Sequence, residues 1–190
     1  IVTGTAGPQG AVGAGFPTGG TAGQILSKNS STDYDTTWID NYTSQVQQYV
    51  KNDGTALSKG KAVYISSANG ANVIVSAADN SAEATSSKTL GLLMQDLAIN
   101  GFGWVITDGL LSGIDTSAAT AGDPVWLGTS GNLIFGLANK PSAPAHLVYL
   151  GVVSRAHAIQ GAILVKVQNG FELQELHNVA ISSPVSGQVL

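Results

Sequence analysis

From Leu57 onward, the chain alternates between apolar and polar positions in short segments. Alternation with a period of two over four to eight residues is typical of β-strands that bury one face. Turn-forming dipeptides separate successive segments at Asn69-Gly70, Asn100-Gly101 and Ser130-Gly131, and Gln160-Gly161 joins the last two. The pattern predicts eight strands, at 61–66, 72–77, 89–98, 102–111, 123–128, 132–137, 146–156 and 162–168.

Short strands with turns at regular spacing predict an all-β fold, specifically a short-stranded β-sandwich or barrel. We assign this β domain to residues 57–177. The longest polar connection within it, residues 78–88, is expected to be a surface loop.

The period changes in residues 39–53. Tyr42, Val46, Tyr49 and Val50 fall at i, i+4, i+7 and i+8, the spacing of one helical stripe. The sequence therefore predicts a short helix here. A helix of about ten residues is marginal alone in water, so this stripe must pack either in a three-chain bundle or on its own β domain.

A third period occupies the amino-terminal end. Gly4, Gly7, Gly10 and Gly13 stand three residues apart, and the register stops at Phe16. Glycine at every third position is the collagen pattern, because only glycine fits where three chains meet. Two interpretations stay open: a flexible linker, or a short collar that holds three parallel chains in register.

The collar interpretation predicts a homotrimer with threefold symmetry. The expected interface residues are the four glycines and the helical stripe: Gly4, Gly7, Gly10, Gly13, Tyr42, Val46, Tyr49 and Val50. The predicted organisation is then a collagen-like run and extended linker at 1–38, the helix at 39–53, the β domain at 57–177, and the start of a further linker at 178–190.

Composition narrows the class of partner. Only 11% of the 190 residues are charged and the net charge is −4, which argues against a nucleic-acid partner because phosphate binding needs clustered Lys and Arg. There is no cysteine, and no apolar run approaches the ~20 residues that a membrane-spanning helix needs. A surface so poor in charge favours burial against other copies or other proteins.

No catalytic arrangement is predicted. His146, His157 and His177 are far apart in sequence and have no neighbouring metal-ligand residues, so structural roles are expected. No nucleophile motif or phosphate-binding glycine loop is present. We therefore predict a protein that is not an enzyme and that uses no metal or other cofactor.

The carboxylates have ordinary interpretations as well. Asp33, Asp35 and Asp40 lack the glycine and glutamate positions of a calcium loop, so they are expected to be solvated turn residues. Glu172 and Glu175 are interpreted as the exposed face of a terminal turn. A glycosidase would need two carboxylates facing each other in a cleft.

Aromatic side chains leave one binding function open. Trp38, Trp104, Trp126 and Phe171 are candidates to stack on sugar rings if they are exposed. Trp104 and Trp126 lie inside predicted strands, so we expect both in the core.

Two parts of the chain resemble bacteriophage virion proteins. The stretch "GTAGQILSKNSSTDYDTTW" (20–38) resembles a linker that follows collagen-like runs in phage tail fibres, and the terminal "SGQVL" looks like the start of another. The β domain is similar, in "LSKGKAVYISSANG", "KTLGLLMQDLA", "GLLSGIDTSAATAGDPVWLG" and "LVYLGVVSRA", to domains of phage fibres and of trimeric capsid cement or decoration proteins.

The resemblance covers 4–38 and 57–177, and it implies a homotrimer on the virion surface that contacts other virion proteins of the tail, baseplate or capsid. Three functions follow as alternatives. The first is a trimeric fibre module, acting as spacer or host-contact surface, which the near copy of Gly23–Leu26 at Gly187–Leu190 favours. The second is a capsid cement protein. The third, which rests on the aromatic side chains and not on the resemblance, is a module that binds host surface glycan.

Overall fold

The computed structural model describes residues 17–41 and 45–170. The chain divides into two compact units, Ile1–Thr43 and Ser44–Leu190. The strands, numbered along the chain, are β1 Gln24–Lys28, β2 Thr36–Asp40, β3 Val46–Asn52, β4 Ala62–Asn69, β5 Asn72–Ala77, β6 Thr89–Leu93, β7 Phe102–Ile114, β8 Pro124–Leu127, β9 Leu133–Phe135, β10 Val148–Arg155 and β11 Gly161–Asn169. One helical turn, α1 (Glu83–Ser86), and two 3₁₀ turns (Thr129–Gly131 and Leu137–Asn139) complete the described elements.

The first unit contains an antiparallel hairpin. β1 and β2 pair without a register shift from Gln24 opposite Asp40 to Lys28 opposite Thr36. The polar segment 29–35 forms the connecting loop. The linker motif is therefore a folded hairpin in this protein.

The second unit is built on a closed barrel. Its strands follow the order β3-β5-β4-β6-β7, and β3 also pairs with β7, so the described chain forms a five-stranded barrel. β11, β10, β8 and β9 then extend the sheet from β7. All eight strands predicted from Leu57 onward are present as β4 to β11, which confirms the all-β fold and the barrel.

Two hydrophobic cores lie on opposite faces of the shared strands. The barrel core takes one residue from each of its five strands, together with two from loops: Val50, Val63, Val75, Leu93, Val105, Leu57 and Leu97. The chain neighbours Ala62, Leu92 and Ile106 belong instead to the second core, with residues of β8, β10 and β11. Because successive strand residues point to opposite faces, continuous apolar runs in β4, β6 and β7 serve both cores.

The predicted helix at 39–53 is wrong in the described residues. Thr36–Asp40 is β2 and Val46–Asn52 is β3. The strand buries Val50 and Asn52, two residues apart, and pairs with both β5 and β7. These long-range hydrogen bonds outweigh the propensity of a helix too short to be stable alone.

The second unit contains the same arrangement of four strands two times. The order β5-β4-β6-β7 is matched by β9-β8-β10-β11, and we call these the first repeat (62–108) and the second repeat (124–169). The sequence of β6, Leu90-Gly91-Leu92-Leu93, corresponds to Leu150-Gly151-Val152-Val153 in β10. A Cβ on Gly91 would overlap the Ile106 carbonyl oxygen, and one on Gly151 would overlap that of Leu164. The two glycines thus have the same role in both repeats.

Candidate functional site

Three aromatic side chains form an exposed cluster on the barrel, which we call the aromatic cluster: Tyr49 of β3 with Phe102 and Trp104 of β7. Tyr49 lies directly opposite Trp104 in the strand register. Its ring centroid is 4.9 Å from that of Trp104 and 5.8 Å from that of Phe102, stacked on the latter at 14°. The three residues remain 47%, 43% and 43% exposed, in chain order. The rings therefore hold one another in place while presenting their outer faces to solvent.

Strand alternation explains why these rings point outward. In β7, Gly103 and Val105 face the barrel core, so Phe102 and Trp104 face away from it. Gly103 is needed at that point because a Cβ there would overlap the side chain of Leu97. The prediction that Trp104 lies in the core is therefore wrong, since the inward positions of β7 are taken by its neighbours.

The second repeat builds the corresponding strand pair without these rings. Leu93 pairs with Val105 in the first repeat, and Val153 pairs with Ile163 in the second. Counting back from these pairs, Trp104 corresponds to Ala162 and Phe102 to Gln160. The strand arrangement thus forms without aromatic residues at these positions, which favours a role for them in binding.

The predicted interface residues fall into different environments. Tyr49 belongs to the aromatic cluster, while Val50 is 1% exposed in the barrel core. Val46 is 60% exposed, but it lies beyond a register shift, opposite Asp108. The glycines at 4, 7, 10 and 13 and Tyr42 lie outside the described residues. Of the three stripe residues that the structure describes, Tyr49 alone belongs to the cluster.

A smaller apolar pair lies farther along β7. Leu110 and Leu164 are opposite each other in the register and are 44% and 53% exposed. Next to them along the same two strands, Asp108 lies opposite Lys166. An exposed aliphatic pair thus lies beside a pair of opposite charges on these two strands.

The other candidate aromatics that the structure describes, Trp126 and Trp38, already have hydrogen-bond partners within the chain. Trp126 is 9% exposed, donates its indole N–H to the Gly136 carbonyl oxygen at 3.1 Å and packs edge-on against Tyr149, as its predicted core position requires. Trp38, in the hairpin, donates to the Pro17 carbonyl oxygen at 2.9 Å. Phe171 lies outside the described residues.

The histidines have structural contacts. His146 Nδ1 is 2.9 Å from Glu83 Oε2 of α1. His157 Nδ1 accepts hydrogen bonds from the backbone N–H groups of Ile159 and Gln160, at 3.0 and 2.9 Å, and shapes the β10–β11 turn. His177 is not among the described residues. Within residues 17–41 and 45–170, no group of three His, Cys, Asp or Glu side chains is arranged to hold a metal ion.

The carboxylates of the hairpin loop organise a turn. Asp35 accepts hydrogen bonds from Ser30 Oγ at 2.5 Å and Asn29 Nδ2 at 3.0 Å, and these bonds hold the pKa of Asp35 below the ordinary value of 3.8. Asp33 lies 3.9 Å from the Lys28 ammonium group. Asp35 thus fixes the loop by hydrogen bonds. Glu172 and Glu175 lie outside the described residues.

An open cleft of about 370 Å³ lies between the end of β7 and β9. Ile114 and Phe135 supply apolar walls, and Lys61 crosses beside them to donate to Ser130 O at 3.1 Å and Asn132 Oδ1 at 2.6 Å. In the part of the chain that the structure describes, β9 pairs with β8 alone. Lys61, which directly precedes the first repeat, is thus hydrogen-bonded to two residues of the second repeat.

Among the described residues, no helix is both long and apolar enough to cross a membrane. Neither a protein-family model nor a curated protein matches the chain. Among solved structures, the chain is similar to the N base of the head fibre protein gp8.5 of bacteriophage phi29, at 10% sequence identity and a TM-score of 0.43, over 64% of this chain and 94% of that one. At this TM-score the two folds are not established as the same, so the function proposed below rests on the residues of this chain.

Proposed function

We propose that this chain is a structural module of a bacteriophage virion surface protein, that it assembles as a homotrimer, and that it serves in a fibre as spacer or host-contact surface. The likeness of residues 20–38 to phage fibre linkers supports the virion assignment. The folded hairpin formed by Gln24–Lys28 and Thr36–Asp40 supports a joint with defined geometry rather than a loose tether.

The aromatic cluster is the observation that carries the assembly. Tyrosine and tryptophan are enriched at the energetic centres of protein interfaces because they bury large rigid surfaces. Tyr49, Phe102 and Trp104 are held by mutual stacking on paired strands, so little conformational entropy is lost when a partner covers them. We assign the cluster as the contact between β domains of neighbouring chains.

The decisive experiment is the mass of the full chain in solution. Light scattering combined with size exclusion, repeated over a range of concentrations, should give three times the chain mass. A monomer at every concentration would overturn the homotrimer. Tyr49→Asp should shift the equilibrium toward monomer, whereas Gln48→Asp, at a neighbouring exposed position, is the matched control and should leave the trimer intact.

Location on the particle separates the fibre module from a cement protein. A gold-labelled chain in a fibre should appear at discrete appendages, whereas a cement protein should cover the capsid evenly. Particles that burst without this chain while adsorbing normally would replace the fibre role with the cement role.

A second function, glycan binding, is favoured by the same exposed rings, because an aromatic face can stack on the apolar face of a sugar. Titration of the chain with polysaccharide from the host surface should then quench the fluorescence of Trp104. The same titration of Trp104→Phe should show a smaller change if the sugar binds there. Quenching that is equal in the two proteins would exclude the cluster as the glycan site.

A further inference from the structure

The hairpin of the first unit has two faces with different apolar contacts. On one face Leu26 lies opposite Trp38, and on the other Ile25 lies opposite Ile39. Each strand has only five residues, Leu26–Trp38 is the middle pair, and Ile25–Ile39 is next to it. A two-stranded hairpin of this size is at best marginally stable alone in water, so the cover on each face decides whether it folds.

The Leu26–Trp38 face is covered by the preceding chain. Trp38 donates its indole N–H to Pro17 O at 2.9 Å, and its ring lies so close to Gly20 that a Cβ there would approach it to 2.9 Å. Gly20 also has a φ of +85°, a conformation that favours glycine. The segment from Pro17 to Gly20 is therefore fitted to this face.

Among residues 17–41, no such cover lies on the opposite face. Ile25 and Ile39 are 44% and 39% exposed. Their neighbours on the same face are Ser27 and Thr37, which lie opposite each other. The four paired residues of this face are thus uncharged, so identical copies can meet over them without repulsion between like charges.

The loop keeps this hairpin in one shape. Asn29 and Asp35 are joined by a backbone and a side-chain hydrogen bond, at 2.9 and 3.0 Å, and Ser30 adds another to the same carboxylate. The strands therefore present Ile25 and Ile39 at fixed positions. An interface can use such residues without ordering them first.

We propose that the face carrying Ile25 and Ile39 is the contact between the hairpins of three copies of this chain. The inference rests on the homotrimer proposed above. The sequence before Pro17 favours this occupant, because its glycine register predicts three parallel chains entering the hairpins side by side. The near copy of the motif at Gly187–Leu190 places valine where the first has Ile25, so the aliphatic contact residue is kept.

Cysteine cross-linking of the full chain tests the contact directly, because the natural sequence contains no cysteine. Ile25→Cys should react with a three-armed maleimide to give mainly covalent trimer. Lys28→Cys is the matched control on the same strand, since position 28 belongs to the Leu26–Trp38 face, and it should give mainly singly modified chain. Ile39→Cys provides a second variant if Ile25→Cys does not fold.

The mass of the unmodified chain is measured first, so that the two proposals fail separately. A monomer would overturn the homotrimer and this contact together. A trimer whose Ile25→Cys and Ile39→Cys variants fold but do not cross-link would overturn the hairpin contact alone. Equal cross-linking through Lys28→Cys would do the same, because the contact would then not depend on the face.

Discussion

Replacing Trp104 by alanine should separate assembly from folding. Trp104 is 43% exposed, and a tryptophan side chain can bury up to about 250 Å², so roughly 100 Å² is free for a partner. At about 25 cal/mol per Å², covering that area contributes about 2.5 kcal/mol per chain. Since about 1.4 kcal/mol is a tenfold change in an equilibrium constant, each lost contact should weaken assembly between tenfold and a hundredfold.

The fold should tolerate this change. Within one chain Trp104 forms a cross-strand pair with Tyr49, and such pairs contribute about 0.2–1 kcal/mol. The variant also loses the burial of the covered part of the ring, so its folding cost should be larger than the pair alone but smaller than that of a fully buried tryptophan. Trp126→Ala is the contrasting variant, because Trp126 is 9% exposed and removing a buried tryptophan costs about 3–5 kcal/mol of unfolding free energy.

Sedimentation equilibrium measures the assembly of both variants, and urea unfolding followed by circular dichroism measures their folding. The expected result is a folded Trp104→Ala chain that dissociates at concentrations where the natural chain is trimeric. A Trp104→Ala chain that sediments like the natural protein at every concentration would refute the assignment of the aromatic cluster as a contact between chains. If Trp104→Ala lowered the unfolding free energy as much as Trp126→Ala does, the barrel would require Trp104, contrary to our reasoning.

Three further variants test the framework of the second unit by urea unfolding. Asn52→Leu should lower the unfolding free energy by about 2–4 kcal/mol. The reason is that the buried amide donates to two loop carbonyls at 2.8 and 3.1 Å and accepts a hydrogen bond from one backbone N–H at 3.1 Å. A variant as stable as the natural chain would contradict this role of Asn52. Gly91→Ala should unfold the barrel or lower the unfolding free energy by at least about 3 kcal/mol, because the added Cβ would overlap a backbone oxygen. Gly54→Ala is the control, since a Cβ there meets its nearest atom at 3.7 Å. Equal effects of the two changes would argue against the close approach at Gly91. Hydrogen bonds, chiefly from the Ser81 hydroxyl, hold the pKa of Asp79 below 3.8, so its contribution to stability is present above that pH and is lost as the pH falls through the lowered pKa. The natural chain should therefore be more stable than Asp79→Asn at pH 7 and lose that advantage in acid, and a difference independent of pH would contradict the assignment.

The β domain was predictable because its signals are local. Alternation and turn glycines locate β4 to β11, and Asn69-Gly70 lies at a hairpin whose Gly70 has a φ of +59°. The helix prediction failed because Val46, Tyr49 and Val50 fit a helical period while Val50 and Asn52 fit a period of two. Only pairing with β5 and β7, distant in sequence, decides between them.

The candidate site was harder to predict for a related reason. Alternation shows that Phe102 and Trp104 share one face of β7, but it does not show which face is inside. The residue between them carries the missing signal, because Gly103 leaves room for Leu97 on the inner side. The repeat was also present in the sequence, in Leu90-Gly91 and Leu150-Gly151, but the equivalence becomes clear only when β6 and β10 take matching places in the sheet.

The low charge of the chain, with 11% charged residues, is accompanied by apolar residues exposed at particular places on its strands. In the described part of the chain, three apolar cross-strand pairs are exposed: Ile25 with Ile39, Tyr49 with Trp104, and Leu110 with Leu164. Paired strands fix each side chain against its partner, which is the preorganisation that rigid protein contacts use. Catalytic sites depend instead on polar groups that converge in a cleft, and the cleft beside β9 has its Lys61 already engaged in structural hydrogen bonds. These fixed pairs therefore support the proposed assembly, which uses one of them in the hairpin and one on the barrel.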